Sequence, residues 1–194
     1  MTGEWPSAAQ IAEAFVDALR RLLEDDEQLL EADANERSIT HRLAVYLEEG
    51  FPGWNVDCEY NRSSGPGRCV KRLCYKFNQA RIKADDLEAK SVFPDIIVHR
   101  RDTSENLLVI EVKKATSRER DEKDLAKLSA FTDSEELGYR IGVFLKIGIG
   151  TGATTLQFAS SGRVHSGQVE CSTTSPEKME ATICRNLEAM GYGQ

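Results

Sequence analysis

The stretch from Phe93 to Lys114, FPDIIVHRRDTSENLLVIEVKK, reads as two apolar strands joined by a polar turn. Asp95 belongs to the first strand, and Glu111 and Lys113 to the second. A strand alternates its faces residue by residue, so Glu111 and Lys113 share one face and Val112 takes the other. With Asp102-Thr103-Ser104 as the turn, position 95 is expected opposite 111, 97 opposite 109 and 99 opposite 107. Opposed side chains share a face, about 4.5–5.5 Å apart at Cβ. Asp95, Glu111 and Lys113 are therefore predicted to converge. The run Leu107-Leu108-Val109-Ile110 has the uniform apolarity of a strand covered on both faces. A carboxylate at the end of such a strand is costly unless it is paired.

Phosphodiester hydrolysis is the chemistry that wants this trio. Two carboxylates that repel each other are best neutralised by a hard divalent cation such as Mg²⁺, which takes oxygen ligands and keeps several waters. The ion polarises a phosphoryl oxygen and activates water. A neighbouring lysine orients the attacking water or offsets charge growing on the phosphate. The bland alternative makes Glu111 and Lys113 a solvated strand end and Asp95 a turn residue after Pro94. The buried character of the second strand favours the site.

At these residues the chain resembles the PD-(D/E)xK nuclease superfamily, the restriction-endonuclease-like fold. The match is Pro94-Asp95 followed, after fifteen residues, by Glu111-Val112-Lys113. The resemblance implies an α/β fold with a restriction-endonuclease-like core: a central mixed sheet flanked by helices, one preceding the sheet and another crossing between later strands. It implies Mg²⁺ or Mn²⁺ as cofactor, Asp95 and Glu111 as metal ligands, Lys113 as the catalytic lysine and the backbone carbonyl of Val112 as an additional ligand. Members of the superfamily often carry a glutamate on the helix before the sheet, a role that falls here to Glu36. That residue lies three before Ile39 and seven before Leu43, on the apolar stripe of its helix. Asp33-Ala34-Asn35-Glu36 also has capping-box spacing, so a helix cap is the competing reading. Glu59 is a weaker substitute.

The net charge of −7 speaks against nucleic acid until its distribution is read. Between Asn61 and Lys83 stand Arg62, Arg68, Lys71, Arg72, Lys76, Arg81 and Lys83, with no acidic residue among them. Tyr75 and Phe77 are interleaved. A cationic segment just before the Pro-Asp strand suits contact with phosphates, and Arg62, Arg68, Lys71, Arg72 and Lys76 are the candidate nucleic-acid-binding residues. Solvated balancing of acidic helices elsewhere is the alternative.

At 194 residues and 40% apolar content the chain suits one domain, 1–194. Its elaborations are an N-terminal helix over 7–30, the basic insertion at about 61–92 and a C-terminal helix over 176–190. Five cysteines, at 58, 69, 74, 171 and 184, form no paired Cys-x-x-Cys knuckle and suggest reduced thiols in a cytoplasmic protein. No apolar run reaches membrane-spanning length, and the N-terminus lacks a signal-peptide pattern.

Further elements are a helix over 35–49, a strand over 54–60, a helix over 118–132, a strand over 139–147 and a strand over 154–159. Asp124 and Lys127 read first as an ordinary helix-surface charge pattern, with positioning of substrate or locking of Lys113 as the alternative. Lys114 points away from Lys113, and Lys146 borders the site at most. His99 shares the face of Asp95 but lies about 13 Å further along. The leading reading is a metal-dependent endonuclease acting on DNA, as a homodimer or with an activating protein partner. The alternatives are a catalytically silent nucleic-acid-binding or assembly module on the same fold, and a domain whose basic insertion binds an acidic protein.

Overall fold

The computed structural model describes residues 4–60, 93–133, 137–148, 152–172 and 174–193. It is an α/β structure in which helices flank one mixed six-stranded sheet. The helices are α1 (Ala8–Glu24), α2 (Glu27–Glu31), α3 (Glu36–Gly50), α4 (Glu122–Thr132) and α5 (Pro176–Ala189). The strands are β1 (Asn55–Cys58), β2 (Ile96–His99), β3 (Asn106–Lys114), β4 (Ile141–Ile147), β5 (Thr154–Ser160) and β6 (Arg163–Cys171), which lie side by side in chain order. Every neighbouring pair is antiparallel except β3 and β4, which run parallel and are connected through α4.

The two sides of β3 explain its unbroken apolarity. Leu108, Ile110 and Val112 pack into the large core with α1, α3 and α5. Val109 turns the other way, into a smaller cluster with Ile97, Leu128, Phe131, Tyr139 and Phe144, beneath α4. Period-two alternation therefore delivers Glu111 and Lys113 to the α4 side of the sheet. All of β3 except Lys114 is buried, as expected for a central strand with both faces covered.

The register of the hairpin matches the expectation where it matters: Ile97 pairs with Val109, flanked by Ile96 with Ile110 and Val98 with Leu108. It fails at the turn. His99 pairs with Asn106 instead of Leu107, because the ladder shifts between Val98 and His99. Asp102 there adopts a positive φ of 59°, closing a turn in which the Arg100 N–H donates to Glu105 O at 2.9 Å. The slip stays at the turn end and leaves the other end of the hairpin in register.

Other boundaries differ. The helix expected over 7–30 is two helices, α1 and α2. The chain turns at Asp26, whose carboxylate accepts hydrogen bonds from Arg42 and Tyr46 of α3 at 2.9 and 2.7 Å. The helix expected from 118 begins at Glu122, and β6 has no counterpart among the expected elements. Its sequence, RVHSGQVEC, has a glycine and few apolar residues, and it forms through backbone pairing to β5 at the sheet edge. The C-terminal helix agrees with expectation, with Pro176 in its first turn. Among the described residues, no helix is long and apolar enough to cross a membrane.

Candidate active site

Pro94 ends the approach to β2 and leaves Asp95 just before the strand, where β2 stops and β3 continues alone along that edge. The Asp95 carboxylate accepts the Val112 N–H through Oδ2 at 2.7 Å. A strand residue aims its N–H and its carbonyl at the same edge, so the Val112 carbonyl also faces the Asp95 side of β3. Burial pushes the Asp95 carboxyl above the ordinary aspartate range. The Val112 N–H and the charge of Lys127 oppose that push, while Asp124 and Glu36 add to it.

Glu111 is only 2% exposed. Its Oε2 accepts a hydrogen bond from the Lys127 ammonium of α4. Its Oε1 is buried with no hydrogen-bond partner among the described residues. Burial first, and the neighbouring Asp95 second, push its pKa up to about 8 against the pull of Lys127. An orphaned carboxylate oxygen in such a place normally costs kilocalories, so this atom needs an explanation.

Lys113 lies on the face of Glu111, as parity requires, but its ammonium is engaged by α4 and the turn leading into it. It donates to Asp124 Oδ2 at 2.9 Å and to the Arg120 carbonyl at 3.0 Å, with Asp121 Oδ1 at 3.6 Å. Burial acts to lower its pKa, and the Asp124 contact leads the interactions that carry it upward instead. The other oxygen of Asp124 lies 3.2 Å from Lys127. The order across the face is thus Glu111, Lys127, Asp124, Lys113. Asp95 lies near enough to Glu111 to raise its pKa, while Asp124 holds Lys113 and a different lysine, Lys127, touches Glu111.

Glu36 is the first residue of α3, and the cap is Asn35, whose side chain accepts the Ser38 N–H at 2.9 Å. The competing capping role thus belongs to a neighbour. Glu36 Oε1 accepts the Lys114 backbone N–H at 3.1 Å, stitching α3 to the end of β3. Lys114 points away from Lys113 as expected, and its ammonium pairs with Asp33 at 2.8 Å. Lys146, opposite Lys113 on β4, pairs with Asp121 at 2.8 Å. His99 Nε2 lies 2.8 Å from Asp57 Oδ2, in the strand-end network of β1 and β2.

A cleft of about 350 Å³ opens beside Asp95, lined by Glu36, Arg37, Thr40, His41, Cys58 and Glu59. Glu59 faces it from the end of β1, pairing with Arg37 at 2.9 Å, and its N–H donates to the Asp95 carbonyl at 3.3 Å. Arg62, Arg68, Lys71, Arg72 and Lys76 lie outside the described residues. The described chain leaves at Tyr60 and resumes at Phe93, so the basic segment is attached at both ends next to this cleft.

Asp124 and Lys127 carry more of the site than a surface charge pattern implies. Their signal is present in the sequence: Lys127 stands four residues before Phe131 and Asp124 four before Leu128, beside the stripe that turns α4 onto the sheet. Among the described residues, no group of three or more His, Cys, Asp and Glu side chains is arranged to hold a metal ion. What the site offers a cation is two close carboxylates, the orphaned Oε1 and a nearby backbone carbonyl. These are hard oxygen donors of the kind that Mg²⁺ takes, one or two carboxylates at a time with water completing the shell. Comparison of the chain with protein-family models, curated proteins and solved structures found no match.

Proposed function

We propose that this protein is a metal-dependent endonuclease of the PD-(D/E)xK type, hydrolysing phosphodiester bonds in DNA. The observation that carries the reading is the buried carboxylate of Glu111 beside the half-buried Asp95 at the open end of a hairpin, with Glu111 Oε1 lacking any donor among the described residues. The order of elements supports it: α3 precedes the sheet, a hairpin presents the acidic pair, and α4 crosses to a parallel strand. So does the tethering of a basic segment beside the Asp95 cleft.

Asp95 and Glu111 would hold Mg²⁺ or Mn²⁺, with the Val112 carbonyl as a further donor and Glu36, which lines the same cleft as Asp95, acting through a water. The chemistry supplied by the cation is polarisation of the scissile phosphoryl group and activation of water. The residues themselves do the positioning. Val112 N–H fixes the Asp95 carboxylate, Glu36 ties β3 to α3, and the ammonium groups above the sheet offset charge developing on the phosphate. Arg62, Arg68, Lys71, Arg72 and Lys76 are the proposed phosphate contacts along the bound strand.

A second reading is a catalytically silent nucleic-acid-binding or assembly module on the same fold. The ion pair of Glu111 with Lys127 favours it, because it neutralises the buried carboxylate without a metal. The purified protein with Mg²⁺ or Mn²⁺, challenged with single-stranded, duplex and branched DNA and with RNA, separates the two. Under the nuclease reading a DNA substrate is cut, and Asp95→Ala or Glu111→Ala abolishes cutting with the cooperative melt retained. Binding of substrate and metal by the wild type without cleavage assigns the silent module.

A further inference from the structure

We infer that Lys127, on α4, is the ammonium that works beside the Asp95–Glu111 pair, and that Lys113 of the Glu-x-Lys motif is a positioning residue. The inference deepens the nuclease reading and rests on it for its chemistry. An ammonium has three donors. Those of Lys113 are directed at Asp124 Oδ2, the Arg120 carbonyl and Asp121, at 2.9, 3.0 and 3.6 Å. All three acceptors belong to the start of α4 and the turn before it. Lys113 thus anchors the crossover helix to the central strand and is spent in doing so. Lys127 donates to Glu111 Oε2 and lies 3.2 Å from Asp124 Oδ1, which accounts for two of its donors among the described residues. It reaches the acidic pair from above the sheet, and its side chain keeps 16% of its surface exposed while that of Lys113 keeps 5%.

Asp124 makes the two lysines one device. One oxygen holds Lys113 on β3 and the other steadies Lys127 over Glu111. Lys127 occupies Glu111 Oε2, while Oε1 has no donor among the described residues. With a divalent cation held by Asp95 and Glu111, the hold of Glu111 on Lys127 would weaken and that ammonium would be available to a phosphate oxygen. The site would then exchange neutralisation by lysine for neutralisation by the cation.

The test is the affinity for Ca²⁺, measured by calorimetry at several pH values and extrapolated to the proton-free site, because losing Lys127 would itself favour the protonated form of Glu111. Lys127→Met removes a competing charge, so Ca²⁺ should bind about tenfold tighter or more, the scale of coupling for a close charge pair. Lys127→Arg should return the affinity to the wild-type value, and Lys113→Met should change it by less than about threefold, its charge being held by Asp124. In the Mg²⁺ cleavage assay, Lys127→Met should lose roughly a hundredfold or more in single-turnover rate at saturating metal. Lost activity with strengthened metal binding is not what a merely structural lysine gives. An affinity gain in Lys113→Met but not in Lys127→Met, or no Ca²⁺ binding by either wild type or Lys127→Met, overturns the inference. A wild type that cuts nothing while the Lys127 affinity shift persists overturns the nuclease reading alone.

Discussion

Glu111 concentrates the cost of this site in one side chain. Its pKa is raised to about 8, which means that the folded protein binds its proton more tightly than the unfolded chain does. The sign follows from linkage: where the folded state holds the extra proton, stability falls as pH rises. The contribution is fully present below the ordinary glutamate range and is lost between there and about pH 8. The raised pKa of Asp95 acts in the same direction. Glu111→Gln cannot titrate, so wild-type stability should fall relative to this variant as pH goes from 5 to 8. The gap should widen by at least about 1.4 kcal/mol, one pH unit of linkage. Urea denaturation of both proteins across that range measures it, and parallel curves would show that Glu111 is not strained by burial. Saturating Mg²⁺ should reduce the wild-type loss, because a bound cation favours the ionised pair.

At the scale of elements, the site depends on how α3 is held, since its first residue, Glu36, reaches the end of β3. The other end of α3 is fixed by packing against α1. A Cβ added at Gly50 would stand 2.7 Å from the Ala14 Cβ and 3.2 Å from its Cα, closer than packed carbons allow. Gly50→Ala must therefore push α1 and α3 apart, and it should destabilise by about 1–3 kcal/mol despite the better helix propensity of alanine. Gly142→Ala is a useful companion, with side-chain atoms of Thr132, Ala159 and Leu128 at 3.0, 3.1 and 3.3 Å. These contacts are longer than at Gly50, and Thr132 and Leu128 present side-chain ends, so the expected cost is smaller. Thermal melts rank the two, and Gly50→Ala as stable as wild type would mean that the helix pair is loosely packed. The exposed Arg21–Glu49 pair, at 2.6 Å, also joins α1 to α3, but exposed ion pairs are worth under about 1 kcal/mol. Apolar packing at Gly50, not that ion pair, sets the spacing.

For the whole molecule, the proposed function requires that a chain of net charge −7 bind a polyanion. The basic run between Asn61 and Lys83 lies outside the described residues, and under the proposed function it supplies the phosphate contacts. Replacing Arg68, Lys71 and Arg72 with Gln should weaken binding to DNA of any sequence. It should also make the dependence of log affinity on log salt shallower by about 0.9 for each phosphate left unneutralised. Ca²⁺ affinity at Asp95 and Glu111 should remain that of the wild type. An unchanged salt slope would assign the basic segment to another partner or to solvation.

The sequence by itself determined the elements whose signals are local. Alternating faces brought Glu111 and Lys113 to one side of β3, and a short polar turn put Asp95 at the matching end of β2. An unbroken apolar run marked β3 as the strand covered twice. The register at the site was legible because centring the hairpin on its polar turn pairs Ile97 with Val109, which the irregularity between Val98 and His99 leaves intact. Which charges meet depends on how the helices pack against the sheet. Asn35 rather than Asp33 caps α3, which released Glu36 to reach Lys114. The depth and angle at which α4 crosses the sheet chose Lys127 for Glu111 and Asp124 for Lys113. Periodicity gives the face of a helix, not its height above a sheet. Because an ion pair dies away over a few ångströms, the partner of a buried carboxylate is settled by packing between elements far apart in the chain.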